Sequence, residues 1–184
     1  MLGGMRWWIA LALVVGCGGD DSSSHIDGGM DPDAKRVDAG PCTGGQIQMT
    51  DPMTGHCYLL FTAPKTWAVA KTNCEAMAGF HLARISSASE QTIVDNVSGL
   101  DVSWIGASDA ATEGTFVWDD GSPLAYTNWK SMEPDNGTNE VGAAVENCVA
   151  LDGGFSGGWT DRPCMNPGGT SSVPGNYPYI CERD

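Results

Sequence analysis

Apolar and polar positions change period several times along this chain. Residues 57–61, Cys-Tyr-Leu-Leu-Phe, are an unbroken apolar run of strand length. Over 66–77 the period lengthens: Trp67, Ala70, Cys74 and Met77 recur at three- and four-residue spacing and predict a helix. A short strand follows at 81–85. Ser87, with Glu90 three residues on, forms the capping-box signature of a second helix whose apolar face is Ile93, Val94 and Val97. Residues 104–107 and 115–118 predict two more strands, and Asp120-Gly121 a turn. Strands resume at 147–151, 158–160 and 179–181. Between them, residues 121–144 are rich in Gly, Pro, Asn and Glu and have little periodicity. So long a structureless stretch inside a compact domain is usually functional.

The first residues do not belong to this pattern. Arg6 precedes a short apolar run, 7–15, too brief for a permanent membrane span. The run ends in Val14-Val15-Gly16-Cys17, which resembles a bacterial lipoprotein cleavage box. Residues 1–16 are therefore expected to be a signal peptide, and Cys17 the lipidated first residue of the mature protein. Gly18 is not aspartate, which under Gram-negative sorting favours the outer membrane. Residues 17–41 hold Gly19-Asp20-Asp21-Ser22 and Asp31-Pro32-Asp33; they cannot bury enough apolar surface to fold and read as a flexible tether. The folded domain runs from 42 to 184.

Composition narrows the function. The chain carries 23 acids against 9 Lys and Arg, and the lack of a basic face excludes a nucleic-acid partner. Seven cysteines among 184 residues point to a disulfide-stapled, exported domain. Six of them lie in the folded part, and by themselves they leave the connectivity open. Gly154-Phe155-Ser156-Gly157-Gly158 matches a hydrolase nucleophile elbow, but no helix can start in Gly157-Gly158-Trp159. His25, His56 and His81 are far apart in the chain and lack zinc-ligand spacing. The chain reads as a binding module and not as an enzyme.

One family gathers these features. Gly55-His56-Cys57-Tyr58, Trp67, Cys74, Leu82-Ala83, Ser87-Ala88-Ser89-Glu90-Gln91 and Trp104-Ile105-Gly106 follow one another in order. Trp118-Asp119-Asp120-Gly121, Asn128-Trp129, Glu133-Pro134-Asp135, Glu146-Asn147-Cys148, Trp159-Thr160-Asp161 and Cys181-Glu182 complete the series. Together they resemble the C-type lectin-like domain. The resemblance implies an α+β fold with two helices, two small antiparallel sheets and a long calcium-binding loop. It also implies three disulfides: Cys42–Cys57, Cys74–Cys181 and Cys148–Cys164. At their family positions Trp104, Trp118, Trp129 and Trp159 are expected in the core.

The same resemblance assigns the chemistry. Calcium takes six to eight oxygen ligands. Glu133, Asp135, Glu146 and Asp161 stand where sugar-binding members place their calcium ligands, with Pro134 expected to be cis. In such proteins the ion is also chelated by two neighbouring sugar hydroxyls, so the carbohydrate contacts implied are Glu133, Asp135, Glu146, Thr160 and Asp161. Asp109, Glu113, Asn136 and Asn147 fit an auxiliary calcium site. Two departures matter: the family's triplet is Glu-Pro-Asn or Gln-Pro-Asp where this chain has Glu-Pro-Asp, and its Trp-Asn-Asp reads Trp-Thr-Asp here. Each removes a side-chain amide, and a carboxylate cannot donate. The expected function is calcium-dependent glycan binding at a cell envelope, on a membrane-anchored lipoprotein. The alternative is a lectin-like module that binds a protein, or a structural module, with calcium absent or structural.

Overall fold

The computed structural model describes residues 41–137, 145–154, 158–165 and 176–184. Residues 1–40, with Cys17 and most of the tether, lie outside the described residues, as do residues 155–157 with Ser156 of the elbow motif. The chain divides into Met1–Asp38 and Ala39–Asp184, and every described residue belongs to the second unit.

The elements run β1 (Ile47–Thr50), β2 (Cys57–Lys65), α1 (Trp67–Glu75), β3 (His81–Leu82), α2 (Ala88–Ser98), β4 (Val102–Ser108), β5 (Val117–Trp118), β6 (Cys148–Asp152), β7 (Trp159–Arg162) and β8 (Tyr177–Arg183). The central strands are buried on both faces, which is why they read as apolar runs without alternation. In β2, Tyr58 and Leu60 join a core with Val94 and Val97 of α2, while Cys57 and Leu59 join a second core with Ala70 and Cys74 of α1. The same two-way division holds in β6, with Val149 and Leu151 on the α2 side and Cys148 and Ala150 on the α1 side. The sheet is thus sandwiched between the helices.

Where two antiparallel sheets were expected, the strands form one mixed network, β1-β2-β8-β4-β6-β7, with β3 on β8 and β5 on β4. The join is parallel: β4 meets β8 at Trp104↔Tyr179. Trp104 and Tyr179 are both in the α1-side core, so burying them side by side brings the two halves of the sheet together.

Helix starts follow the sequence signals. The Thr66 side chain caps α1 by accepting from the Val69 amide at 3.4 Å. Ser87 caps α2 by accepting from the Glu90 amide at 3.2 Å. The capping box is only half closed, because Glu90 does not return to the Ser87 amide. Its carboxylate instead accepts from Ser86 N and Ser86 Oγ, both at 2.7 Å, and from the Tyr58 hydroxyl at 2.6 Å. The buried tyrosine hydroxyl has no water to turn to, so the Glu90 carboxylate that meets it is not free to close the box.

The three disulfides are Cys42–Cys57, Cys74–Cys181 and Cys148–Cys164, the pairings the resemblance implies. Cys74–Cys181 spans 107 residues and ties α1 to β8. Of the four tryptophans, Trp104, Trp118 and Trp159 are buried, and Trp129 packs partly buried against the same core as Trp118 and Trp159. Trp159 Nε1 donates to Gln91 Oε1 at 2.8 Å.

Candidate functional site

The loop after β5 has no regular element from 119 to 137 among the described residues, yet it is pinned. Trp129 forms a parallel bridge to Trp159 of β7, with Lys130 N donating to Trp159 O at 2.9 Å and Trp159 N to Asn128 O at 2.7 Å. The Trp129 and Trp159 rings meet edge to face at 5.7 Å. Lys130 pairs with Asp152 at the end of β6. Approach this close requires Gly158: a Cβ there would lie 2.5 Å from Lys130 Cγ and 3.3 Å from Lys130 Cα.

From this anchor the chain turns through Met132 (φ 73°), a cis Glu133–Pro134 bond and Asn136 (φ 50°). The cis bond stands where the resemblance led us to expect it. Asp161, at the same level on β7, accepts from the Asp135 amide at 3.0 Å and the Asn136 amide at 2.8 Å, which clamps the triplet to the sheet. Glu133, Asp135 and Asp161 thereby each bring a carboxylate oxygen within 4.8 Å of the others. Glu146 is buried next to them, its amide donating to Asn136 Oδ1 at 2.9 Å, but its carboxylate is not part of that group.

Three close carboxylates repel unless a proton or a cation intervenes. Burial first, then contact with Asp161 and the charges of Asp161 and Asp135, push the Glu133 carboxyl up to about 7. Its Oε2 is buried with no hydrogen-bond donor. An all-oxygen set with a bare buried oxygen fits calcium, which Glu133, Asp135 and Asp161 would hold.

The four residues of the expected auxiliary site are linked in two pairs. Asn136 Nδ2 donates to Glu113 Oε1 at 2.8 Å, and the Asp109 amide donates to the Asn147 carbonyl at 3.2 Å. Asp109 Oδ2 accepts from Gly114 N at 2.8 Å, whereas Asp109 Oδ1 and Asn147 Oδ1 are buried without partners. Each is an oxygen of the type a hard cation takes.

Thr160 differs. Its residue is 1% exposed, and its hydroxyl donates to the Asp161 carbonyl at 3.2 Å. As placed it presents no donor to a ligand.

Comparison with known proteins decides the family. Residues 63–183 match the Lectin C-type domain. The chain belongs to the C-type lectin domain family. This is in general a family of non-enzymatic binding modules. It is 40% identical over 110 residues to the versican core protein of Rattus norvegicus, and equally to that of Mus musculus. Those 110 residues are 60% of this chain but only 4% of the rat protein, so the likeness concerns one domain of it. The C-type lectin carbohydrate-recognition domain of the mouse scavenger receptor superposes with a TM-score of 0.61 at 28% identity, over 76% of this chain and 94% of that one. The cow carbohydrate-recognition domain of CD23, solved in the presence of a GlcNAc2Man3 oligosaccharide, gives 0.60 at 30% identity, over 77% and 95%. A calcium-independent type II antifreeze protein shares the fold with a TM-score of 0.59 at 24% identity, covering 77% of this chain and 94% of its own. These relatives include mammalian proteins, and the family match begins at residue 63, so they lend nothing to the lipoprotein reading of residues 1–17.

A second group of ligand-type side chains escapes reading along the sequence. His56, Glu182, Asp184 and His81 converge at the far end of β8, although the histidines are 25 residues apart. The available signal was strand pairing: once His81 and Glu182 are set in adjacent antiparallel strands, they face each other.

Proposed function

We propose that this domain binds glycans through a calcium ion held by Glu133, Asp135 and Asp161, with Glu146 beside them. The observation that carries the reading is the carboxylate trio, in which Glu133 Oε2 is buried with no donor. When bound, the ion supplies a Lewis-acidic contact for two neighbouring sugar hydroxyls. The protein's own part is to hold the loop rigid through Trp129, Trp159 and Gly158, and to offer carboxylate acceptors to the hydroxyl protons. The carbohydrate-recognition domains that superpose on this chain, including one solved with an oligosaccharide, support the same reading. Asp109, Glu113, Asn136 and Asn147 would hold an auxiliary calcium ion that stiffens the loop from behind. The domain would work at a cell envelope, tethered by residues 17–41 to a lipid on Cys17, in an outer membrane; this part rests on the sequence at residues 6–18 alone.

One observation favours a second reading. The Asn136 amide is engaged by Glu113, the Thr160 hydroxyl by Asp161, and Asp135 has no amide to give. A site so poor in donors also suits a protein ligand, or calcium that serves only structure. A glycan array probed with calcium and with chelator separates the two. Calcium-dependent signal on a defined set of glycans supports the first reading, and a blank array in both conditions overturns it.

A further inference from the structure

Strands β2, β8 and β3 end together, with β8 in the middle. His81 stands opposite Glu182 in the β3–β8 register, and Tyr58 stands opposite Glu182 on the other side. His56 precedes Cys57, which pairs with Arg183, so it falls opposite Asp184. The Asp184 carboxylate consequently lies between two imidazoles, its Oδ1 3.6 Å from His56 Nδ1 and its Oδ2 3.6 Å from His81 Nε2.

The His81 ring fixes the chemistry. Its Nδ1 is 2.8 Å from the Leu82 carbonyl. A carbonyl only accepts, so Nδ1 carries the hydrogen, and in the neutral ring Nε2 bears a lone pair. That Nε2 is buried and has no hydrogen-bond partner. It points at carboxylate oxygens of Glu182 and Asp184, all three atoms lying within 4.8 Å of one another. A lone pair facing two acids is repulsive until something positive comes between them. A ring that donates one N–H to a backbone carbonyl and leaves the other nitrogen bare is the arrangement of a metal-bound histidine. For one pair the spacing is close to that of a bound ion: bonds of about 2.1 Å at a tetrahedral angle put ligand atoms roughly 3.4 Å apart, against the 3.6 Å between His81 Nε2 and Asp184 Oδ2.

We propose that His81 Nε2, Glu182 and Asp184 form a binding site for a zinc-class divalent ion, with a fourth position open to water. Imidazole selects such borderline ions over calcium. His56 is a positioning residue: its Nδ1 lies 2.9 Å from Glu182 Oε1 and 3.6 Å from Asp184 Oδ1, in reach of both carboxylates. Tyr58 Oη at 3.0 Å from Glu182 Oε1, and the Arg84 amide, which donates to Glu182 Oε2 at 2.8 Å, hold it from within. The site is separate from the calcium loop, shares no residue with it, and does not depend on the glycan-binding reading.

The test is a calorimetric titration of the chelator-stripped full chain with zinc, in saturating calcium so that the oxygen-only sites are filled. Cobalt replaces zinc in a parallel titration read by visible absorption, which reports imidazole in a four-coordinate shell. We expect a zinc equivalent that His81→Gln weakens at least tenfold and Asp184→Asn weakens as well, while Asp161→Asn leaves it in place. Imidazole nitrogen shifts read on the parent protein serve where a variant fails to fold: zinc should move His81 Nε2 and leave the proton on Nδ1, donated to the Leu82 carbonyl. Zinc affinity unchanged in His81→Gln, no zinc binding by the parent, or a His81 ring untouched by zinc would overturn the proposal. In the last two outcomes His81 is simply a neighbour of Asp184 with no metal between them.

Discussion

Two clusters of carboxylates, one at β7 and the long loop and one at β8 and α2, are satisfied by opposite means. At the loop, Glu133, Asp135 and Asp161 face one another, and Glu133 Oε2 meets no donor. Behind α2, Glu90 and Glu182 are equally crowded but surrounded by hydrogen. The Tyr58 hydroxyl lies 2.6 Å from Glu90 and 3.0 Å from Glu182, while Ser86, the Arg84 amide and His56 supply the remaining contacts. Tyr58 has one hydrogen to place between the two carboxyls. Burial, above all, pushes the Glu182 carboxyl up to about 9. What separates the two is therefore not acidity but whether donors reach the acceptors. The loop cluster has a bare oxygen and needs a cation; Glu90 and Glu182 are hydrogen-bonded, and the bare acceptor on that side is the His81 nitrogen facing Glu182 and Asp184.

The largest expected effect tests the loop half of this contrast. Calcium should stabilise the domain by on the order of 2.7 kcal/mol when free calcium is about a hundred times Kd. Thermal melting with calcium and with chelator measures it, and Asp161→Asn should abolish most of the shift. Equal melting temperatures in the two conditions would remove the contrast altogether.

The next effect tests the other half. Tyr58→Phe leaves two buried carboxyls without the hydroxyl that joins them and should cost about 1–3 kcal/mol. Because the two clusters are separate, the calcium-induced shift should stay at its parental size. A calcium shift reduced along with stability would mean that the clusters are coupled.

A smaller effect lies in the pH dependence. Glu182 is raised from 4.5 to about 9 and Glu133 from 4.5 to about 7, so in each the folded state holds its proton where the unfolded chain has lost it. The stability each contributes is complete below about pH 4.5 and is lost as pH rises, to about 7 for Glu133 and about 9 for Glu182. Urea midpoints in chelator should therefore decline across both windows. Glu182→Gln should flatten the fall above pH 7, and saturating calcium, which requires ionised Glu133, should reverse the fall below it. A Glu182→Gln protein with the parental slope would refute the assignment.

Most of the fold was legible because the central strands are buried on both faces and the helices on one. β1 was not, since Ile47–Thr50 is a largely exposed edge whose register comes from pairing with β2 and not from its own pattern. The parallel join at Trp104 and Tyr179 was also hidden, because it depends on two distant residues entering one core. In the site, the triplet, its cis bond and Asp161 could be read from the family resemblance. The commitment of Thr160 to a backbone carbonyl could not, since a hydroxyl's partner is settled only in three dimensions. His56 and His81 were set aside on linear distance, and antiparallel pairing cancelled it.

The smallest effect is the most specific and returns to the donor-poor loop. Asp135 Oδ1 accepts from Gly137 N at 2.8 Å, a bond that the side-chain carbonyl oxygen of an Asp135→Asn variant would keep. The loop should therefore hold its shape while the second oxygen becomes an amide. One gained hydrogen bond to a calcium-bound hydroxyl is worth about 0.5–1.5 kcal/mol, or roughly two- to tenfold in affinity for mannose-type sugars. The same change takes one charge from the trio, so calcium itself should bind less tightly. The two effects oppose each other, and only calorimetry at saturating calcium, with mannose-type and galactose-type ligands, separates them. Tighter sugar binding by the variant makes the missing amide the limit on this site. If no sugar binds more tightly, the lack of donors does not limit affinity, and Asp135 is better suited to a protein ligand.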